Sequence, residues 1–506
     1  MAATEDSSDS TVRNRNSDHT KDQTCAEQNG PEMPGQYKYP PNDPFLESRQ
    51  SKGVKADIVE DVSNHLGTLR DEAMTEKVQS HRSQGSMSGR RKTFVHRASL
   101  LDDLNDAGHL QIIYNICVAV FCVFMISNTA VEIIDHGRLI DPSLFIFAFG
   151  QPGTVAWSWI CLFTYTLLVP YKALVVWGSL YPKSNHKIML SAFVGILLLV
   201  GQTCVLCIFP FYVVKHYQLP PASGFIVIIE QFRFIMKSYS LLREVVPTVL
   251  QKEQKEVQLP KLSSYLYFLF CPTVIYRDSY PRNPYIRWKY LIKCFAEILG
   301  CLLFLYYIVD NLCIPVFTNM SKQPFSVKTL VLSIFHATLP GTLVLLIAFF
   351  GFLHCWHNAF AEMLCFADRM FYKDWWNATS FSNYFRTWNV MIHDWLFYYV
   401  YQDLLWLLNK KFRSAVTLAV FLLSASVHEY AYSVALGYFY PVVFCLFAIL
   451  GVLLNFSIKD KQKSPVFNVI VWTSLFMVRA SRFLYTLRNG MHGSIVHSQR
   501  KHSGDL

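Results

Sequence analysis

A histidine inside an apolar stretch is the first residue of this sequence that could do chemistry. His428 lies in SASVHEYAYS, within an apolar block at 414–434. Burying a titratable side chain at membrane depth is costly unless it is neutral and hydrogen-bonded, so a histidine there is a functional candidate. A neutral imidazole in a poorly solvated pocket suits a general base, although a structural histidine bonded to a neighbouring helix fits the position equally well.

The two nearest polar neighbours of His428 have different expected roles. Ser424 lies one turn earlier on the same helical face, so it could bond the imidazole or a substrate. Glu429 follows His428 directly and projects about 100° away from it. We therefore expect Glu429 to be a satisfied interior carboxylate and not the group that orients the histidine.

A second set of candidates occurs in FYKDWWNATSFSNYFRTWNVMIHDW, residues 371–395. Arg386, Asn389 and His393 follow i, i+3, i+7 spacing, which predicts one shared helix face. An arginine suits a phosphate group, and an asparagine offers an N–H to a carbonyl that gains negative charge in a transition state. Asp394 is adjacent to His393, but adjacent residues on a helix point apart, so His393 is predicted to bind ligand and not to catalyse.

The same stretch carries nine aromatic residues. It is too polar for an ordinary membrane span and too aromatic for an ordinary solvated loop. We expect an amphipathic helix at the cytosolic interface of a membrane, with tryptophan and tyrosine at headgroup depth. For most of these aromatic side chains, belt packing without a ligand is the predicted role.

Long apolar segments are the elements that must position these residues. Of the 506 residues, 52% are hydrophobic and 16% are charged, and the mean hydropathy is +0.23. Apolar blocks of about 20 residues match a bilayer core of about 30 Å. The chain is therefore predicted to be an all-α polytopic membrane protein. Its nine predicted spans are 111–134, 145–169, 188–214, 222–246, 294–309, 329–352, 414–434, 441–457 and 466–478.

Basic residues orient the predicted spans. The segment 82–97 holds Arg82, Arg90, Arg91, Lys92 and Arg97 without an acidic residue, which places the N-terminus in the cytosol by the positive-inside rule. The net charge of +10 fits loops that face anionic lipid, and no nucleic-acid partner is expected. Alternation of sides makes the Asn319 sequon lumenal and open to glycosylation, whereas the Asn377 sequon is cytosolic and is expected to stay bare.

Three further features limit the chemistry. The block 222–246 carries Glu230, Arg233 and Lys237, which are expected to face the protein interior or a wet cavity. The 13 cysteines are scattered, and the C-x-x-C at 204–207 lies in an apolar helix, where small apolar fillers are expected and not a redox pair. The chain has neither metal-ligand spacing nor a Gly-rich phosphate loop, so no cofactor is expected.

Composition predicts four regions. Residues 1–50 are polar and are expected to be a disordered cytosolic terminus. Residues 51–98 combine an amphipathic helix with a basic juxtamembrane segment; the helix lies on the membrane or its own domain, or forms a short coiled coil for oligomerisation. Residues 99–478 form the membrane domain, and 479–506 form an atypical basic tail.

Several motifs occur in a characteristic order. FYKDWWN begins at 371, a Trp-Asn and a His-Asp-Trp follow within 388–395, and a His-Glu-Tyr occupies 428–430. Together these motifs resemble the membrane-bound O-acyltransferases, and more narrowly the sterol O-acyltransferases. The stretch YLYFLFCPTVIYRDSYPRNP at 265–284 is similar to the sterol enzymes and less like the diacylglycerol acyltransferases. The resemblance runs from about residue 92 to about residue 475.

The resemblance implies a set of site residues. The family's catalytic histidine corresponds to His428, and its essential asparagine corresponds to Asn389. Its acyl-CoA contacts correspond to Asn383, Arg386, Asn389, His393, Tyr401, Arg413 and Ser424. Family members often carry lysine where Arg413 stands, so the charge is kept while its shape differs. Family members also continue with a longer last span and a lumenal cysteine pair, whereas no cysteine follows Cys445 here.

The resemblance also implies a reaction and a setting. The expected fold has about nine transmembrane helices enclosing a reaction chamber, with acyl-CoA entering from the cytosol and a sterol entering from the bilayer. His428 would take the proton of the 3-hydroxyl of cholesterol or another sterol while Asn389 steadies the acyl carbonyl. No serine or cysteine is placed as an acyl carrier, so direct transfer in a ternary complex is expected. A homodimer or homotetramer in the endoplasmic reticulum membrane is implied as well.

Two alternatives remain at this point. The first is an acyltransferase that acts on diacylglycerol or another lipid alcohol, against which YRDSYPR at 276–282 argues. The second is a non-catalytic sterol transporter, which inverted internal repeats would favour, and the sequence offers none. An acceptor panel and a test for ester formation separate these classes.

Overall fold

The computed structural model describes residues 91–105, 108–137, 142–251, 259–321, 326–408, 411–437, 439, 441–445 and 464–476. Within these ranges the chain is helical and has no β-strand; two isolated bridges join Arg97 to Asp368 and Arg282 to Phe366. The all-α class is therefore confirmed over this part of the chain. The predicted disordered terminus, the predicted amphipathic helix and the predicted basic tail lie outside the described residues.

The helices are numbered in chain order. The first nine are α1 (Leu100–Asn105), α2 (Gly108–His136), α3 (Pro142–Phe149), α4 (Pro152–Leu180), α5 (Lys187–Gln202), α6 (Phe209–His216), α7 (Pro221–Gln251), α8 (Leu262–Phe270) and α9 (Trp288–Ile308). The others are α10 (Ile314–Ser321), α11 (Val327–Ala348), α12 (His357–Met363), α13 (Phe381–Trp388), α14 (Val390–Trp395), α15 (Gln402–Leu407), α16 (Arg413–Leu436), α17 (Val442–Cys445) and α18 (Pro465–Phe476).

Several helices are joined end to end by π-helical turns. Among the described residues these turns are Thr203–Ile208 between α5 and α6, Val309–Cys313 between α9 and α10, Phe349–Trp356 between α11 and α12, and Leu396–Tyr401 between α14 and α15. A π turn accommodates an extra residue without ending the helix. The joined helices therefore form longer continuous rods.

Six helical stretches of the described chain are long and apolar enough to cross a bilayer. They are Gln111–Asp135, Ser143–Lys183, Lys187–His216, Trp288–Val316, Val331–Met363 and Arg413–Leu436. These match six of the nine predicted spans. The predicted span at 222–246 lies within α7, and α18 covers most of the one at 466–478 as a shorter apolar helix. The count of nine stays a prediction, because most of the block at 441–457 lies outside the described residues.

Helix α7 holds a buried lysine that caps another helix. Lys237 is 1% exposed, and its Nζ donates to the carbonyl oxygens of Phe268, Leu269 and Cys271 at 2.6, 3.0 and 2.8 Å. The last carbonyls of any helix lack partners within that helix. Lys237 therefore satisfies the C-terminal end of α8 while its own charge is fully hydrogen-bonded.

The other two charged residues of α7 form a neighbouring pair. Arg233 Nη2 lies 2.5 Å from Glu230 Oε2, and Arg233 Nη1 donates to the Leu269 carbonyl at 2.7 Å. The same Glu230 oxygen accepts from Trp159 Nε1 on α4 at 2.7 Å. The prediction that these charges face the protein interior is confirmed.

Replacing Lys237 by methionine should destabilise the protein, because three carbonyl oxygens at the end of α8 would lose their shared donor. The expected loss is at least about 2 kcal/mol in the free energy of unfolding. Thermal unfolding of the detergent-solubilised protein measures it, with Lys261→Met, at an exposed position before α8, as the control. Equal melting temperatures for the two variants would contradict the capping role.

Candidate active site

The segment 371–395 forms part of the protein core. Five of its aromatic side chains are at most 4% exposed: Phe371, Tyr372, Trp375, Phe381 and Tyr384. The ring of Trp375 packs edge-on against the rings of Phe349 and Trp388, with centroids 5.0 and 4.7 Å apart. The predicted interfacial helix with belt packing is wrong, because most of these rings are buried against one another and against other parts of the protein core.

Two side-chain caps divide this segment into short helices. Ser380 is extended and its Oγ accepts from the Asn383 backbone N–H at 3.1 Å, which begins α13. Asn389 is also extended, with φ −140°, and its Oδ1 accepts from the Ile392 N–H at 3.2 Å, which begins α14. Serine and asparagine are favoured at this position because their oxygen satisfies an N–H that the helix leaves unpaired.

The cap at Asn389 corrects the prediction of a shared helix face and fixes the orientation of the Asn389 amide. Arg386 lies on α13 and His393 lies on α14, so a single helix face shared with Asn389 is wrong: the backbone is extended at Asn389. Because Oδ1 serves the cap, Nδ2 is the donor end of the amide. The Val390 N–H donates to the Phe371 carbonyl at 2.9 Å, which holds this junction against FYKDWWN.

Three further predicted acyl-CoA contacts lie before and after the junction in the sequence. Arg386 is exposed, and its guanidinium donates to the Ser382 hydroxyl at 2.9 Å and to the Ser382 carbonyl at 3.2 Å. His393 and Tyr401 both stack on the Phe397 ring, at centroid distances of 6.3 and 5.7 Å. The structure thus places His393 and Tyr401 along one aromatic stack.

His393 and Asp394 meet despite being adjacent. His393 Nδ1 lies 3.5 Å from Asp394 Oδ1, so the expectation that the two side chains point apart is wrong: the carboxylate folds back toward the ring. Burial alone would raise the pKa of Asp394, but the hydrogen bond from His393 and the charge of Lys92 outweigh it and hold the pKa below its usual range. Asp394 is therefore an anion.

Helix α16 carries the other predicted residues. Arg413 is its exposed first residue, and Ser424 and His428 follow along its length. His428 Nδ1 lies 2.7 Å from the Ser424 carbonyl oxygen. A carbonyl only accepts, so a proton sits on Nδ1, and when the ring is neutral its lone pair is on Nε2. Ser424 thus orients the imidazole through its backbone. The imidazole is exposed, so the poorly solvated pocket expected around His428 is not seen among the described residues.

Helix α16 presents its histidine face to α13. The rings of Phe421 and Phe385 pack edge-on with centroids 5.4 Å apart. Phe421, Ser424 and His428 follow i, i+3, i+7 spacing, so they share one face of α16. The π turn Leu396–Tyr401 also contacts α16. The contact between Phe385 and Phe421 therefore holds α13 against the face of α16 that carries Ser424 and His428.

Glu429 is buried and satisfied, as predicted. It is 6% exposed; its Oε1 accepts from the Ser433 hydroxyl at 3.2 Å, and its Oε2 accepts from the Phe444 N–H at 3.0 Å. The carboxylate joins α16 to the start of α17, where helix N–H groups lack partners. Its role in this geometry is to fix the end of the helix that carries His428.

A buried histidine was missed by the sequence reasoning. His354, 5% exposed in a π turn, has Nδ1 2.8 Å from the Tyr372 hydroxyl and 3.3 Å from the Ser99 hydroxyl. Asn358 Nδ2 lies 3.2 Å from both Nδ1 and the Ser99 hydroxyl. The signal that singled out His428, a titratable residue in a long apolar run, applies equally to LIAFFGFLHCW and could have found His354.

Helix α18 supports the same motif from another side. Asn468 Nδ2 donates to the carbonyls of Trp376 and Ala378, each at 2.9 Å. Trp472 Nε1 donates to the Trp376 carbonyl at 3.0 Å. The irregular backbone after FYKDWW would otherwise leave these carbonyls unpaired in a poorly solvated place.

Known proteins that resemble this chain include several O-acyltransferases. The model of MBOAT, the membrane-bound O-acyltransferase family, matches residues 143–487. The chain is 49% identical over 449 residues to human sterol O-acyltransferase 2, covering 85% of each chain. It is 52% identical over 390 residues to sterol O-acyltransferase 1 of Chlorocebus aethiops, covering 76% of this chain and 71% of the relative. The mouse sterol O-acyltransferase 1 is 52% identical over 391 residues.

Changing Asn389 to aspartate separates its two expected roles. Aspartate keeps the oxygen that caps α14 but loses the N–H donor, so the protein should fold while acyl transfer from acyl-CoA falls by about 100-fold or more. Turnover and thermal unfolding are measured together, with Asn185→Asp at an exposed position as the matched control. An active Asn389→Asp variant would leave capping as the only role of this residue.

Proposed function

The chain belongs to the membrane-bound O-acyltransferase family, and we propose that it transfers a long-chain fatty acyl group from acyl-CoA to the 3-hydroxyl of cholesterol or a related sterol. The choice of a sterol as acceptor rests on the similarity to sterol O-acyltransferases, which are identical to this chain at about half of the aligned positions over most of its length. The chain is similar to both sterol O-acyltransferase 1 and sterol O-acyltransferase 2, which supports a sterol acceptor in general. The products are a sterol ester and free CoA.

The contacts of His428 and Asn389 support a one-step mechanism. His428 Nε2, the lone-pair nitrogen, removes the proton from the sterol hydroxyl as its oxygen attacks the thioester carbonyl carbon. The C–O bond forms, the C–S bond breaks, and the proton passes from the imidazole to the departing CoA thiolate. Asn389 Nδ2 donates to the carbonyl oxygen while it gains negative charge. The acyl group passes directly between substrates, and the step requires no cofactor.

The remaining site residues bind acyl-CoA in this proposal. Arg386 and Arg413, both exposed cations, suit the phosphates of CoA. Asn383, His393, Tyr401 and Ser424 line the path from these cations toward the reacting carbonyl. The stack of His393 and Tyr401 on Phe397 supports a flat aromatic wall on that path.

The setting follows from the same similarity and from the charge pattern. We place the enzyme in the endoplasmic reticulum membrane as a multi-pass homodimer or homotetramer with a cytosolic N-terminus. Arg91, Lys92 and Arg97, just before α1 and α2, support that orientation. Acyl-CoA then reaches the site from the cytosol, and the sterol reaches it from the bilayer.

Loss of His428 should abolish turnover without unfolding the protein. Esterification of cholesterol with labelled oleoyl-CoA is measured in microsomes that lack sterol-ester synthesis, comparing the unmutated protein with His428→Ala. The expected loss is at least about 1000-fold, because no other group takes the hydroxyl proton. His186→Ala, at an exposed position, is the control. Substantial residual esterification by a well-expressed His428→Ala variant would make this histidine structural.

An acceptor panel tests the sterol assignment and the direct step. Cholesterol should be esterified at least about tenfold faster than diacylglycerol by the same purified protein. The two acceptors differ in the shape of the molecule that must fit the chamber. Preference for diacylglycerol would favour the alternative acceptor class, and absence of any ester would favour a non-catalytic sterol-binding protein. Isolation of a covalent acyl-enzyme would contradict direct transfer.

A further inference from the structure

An extended segment at the start of the described chain packs across the aromatic core. We call residues 91–99 the strap. The Arg97 N–H donates to the Ala367 carbonyl at 3.0 Å, and the Arg369 N–H donates to the Arg97 carbonyl at 3.0 Å. At the end of the strap, Ser99 is 1% exposed and its hydroxyl lies 3.3 Å from His354 Nδ1. The strap is therefore part of the catalytic domain and not a loose leader to it.

One strap residue carries a charge into the site. Lys92 Nζ forms an ion pair with Asp394 Oδ2, and the two side chains are 17% and 16% exposed. The carbonyl of Lys92 accepts from Arg277 Nη2 at 2.9 Å, and its ammonium lies 5.7 Å from the centre of the Phe94 ring. Backbone and side chain are thus both held, so the ammonium has a defined position. A mostly buried ion pair is screened far less than a surface pair.

The carboxylate that Lys92 binds is shared with the predicted acyl-CoA site. Oδ2 of Asp394 faces Lys92, and Oδ1 lies 3.5 Å from His393 Nδ1. His393 in turn stacks on Phe397. Lys92, Asp394 and His393 therefore form a chain of three polar groups that leads from the strap to the aromatic wall.

A small, open cleft lies beside this chain of polar groups. Its lining includes Lys92, Phe371, Val390, Met391 and Asp394. Val390 directly follows the Asn389 cap, so the cleft adjoins the junction between α13 and α14. Asp368 also borders the cleft. Two carboxyl groups beside a site for a polyanionic substrate would repel it unless a cation offsets them.

We propose that Lys92 is a positioning residue for acyl-CoA, which acts through Asp394 on His393. The proposal rests on the function proposed above. Lys92 holds one oxygen of Asp394 so that the other orients the His393 ring against Phe397, and it offsets the negative charge that the CoA phosphates meet on approach. Without Lys92, Asp394 is an uncompensated anion beside the path of an anionic substrate. The sterol, which is uncharged, does not depend on this pair.

The first test separates the two substrates kinetically. Lys92→Met should raise the KM for oleoyl-CoA by about fivefold or more and leave the KM for cholesterol within about twofold. Lys92→Arg should keep the KM for oleoyl-CoA near that of the unmutated protein. Arg91→Met removes the same charge from an exposed neighbour and is the matched control; its guanidinium lies 3.8 Å from Glu244. Equal effects of Lys92→Met and Arg91→Met would overturn the proposal.

The second test asks whether Lys92 acts through Asp394. In an Asp394→Asn background, Lys92→Met should change the KM for oleoyl-CoA by less than about twofold, because the carboxylate through which Lys92 acts on His393 is absent. Additive effects of the two substitutions would overturn the proposed route. The double variant is expected to fold even where Lys92→Met alone folds poorly, because the unpaired Asp394 carboxylate is absent.

A binding measurement keeps this proposal separate from the proposed function. The affinity of purified protein for a non-hydrolysable thioether analogue of oleoyl-CoA is measured directly, alongside cholesterol esterification. Binding that Lys92→Met weakens supports the proposal even if cholesterol proves not to be the acceptor. Esterification by the unmutated protein together with unchanged analogue binding by Lys92→Met would overturn the role of Lys92 and leave the proposed function standing.

Discussion

The buried lysine of α7 is the interaction on which the arrangement of this domain depends. A cation inside an apolar helix is tolerated only where its donors are satisfied, and Lys237 meets that condition with three carbonyls from the end of α8. The requirement fixes α8 against α7. Nearby on α7, Glu230 accepts from Trp159 of α4 and Arg233 donates to the Leu269 carbonyl of α8. The charged residues of α7 therefore set the positions of three helices.

The same helix then holds both halves of the site. Asp403 on α15 forms two hydrogen bonds with Arg243 at 2.7 and 2.9 Å, and Trp395 Nε1 donates to Ser240 at 3.1 Å. On the other side, α16 approaches α7 where Gly224 faces Ala435; a Cβ at Gly224 would lie 3.2 Å from the Ala435 Cα. Helix α7 is thus the common support for the segment that carries the proposed acyl-CoA residues and for the helix that carries His428.

Sequence reasoning succeeded where one strong physical rule applied. Apolar length identified six spans, and the cost of buried charge predicted that Lys237 and its neighbours turn inward. The same rule identified Glu429 as satisfied. It failed where local and long-range effects compete. The i, i+3, i+7 spacing around Asn389 is ideal for one helix, and only the packing of FYKDWWN against the junction reveals that the asparagine caps a second helix instead.

Predictions from sequence also failed where a residue's partners are distant in the chain. The nine aromatic residues of 371–395 read as an interfacial belt because their partners, Phe349 and Trp472 among them, lie tens of residues away. Lys92 read only as one charge of a basic run, since nothing local indicates a partner at Asp394. The motif resemblance supplied the roles of His428 and Asn389, and the geometry supplied the tautomer and the amide orientation that suit those roles.

The π turns should tolerate substitutions better than deletions as the sequence diverges. Two of them, Phe349–Trp356 and Leu396–Tyr401, carry His354 and Tyr401, respectively. Deleting one residue from such a turn restores regular helix and rotates everything beyond it by about 100°. Substitutions there alter one contact at a time, whereas single-residue deletions would turn whole helix faces away from their partners. Chain length through these two turns should therefore be held more strictly than residue identity.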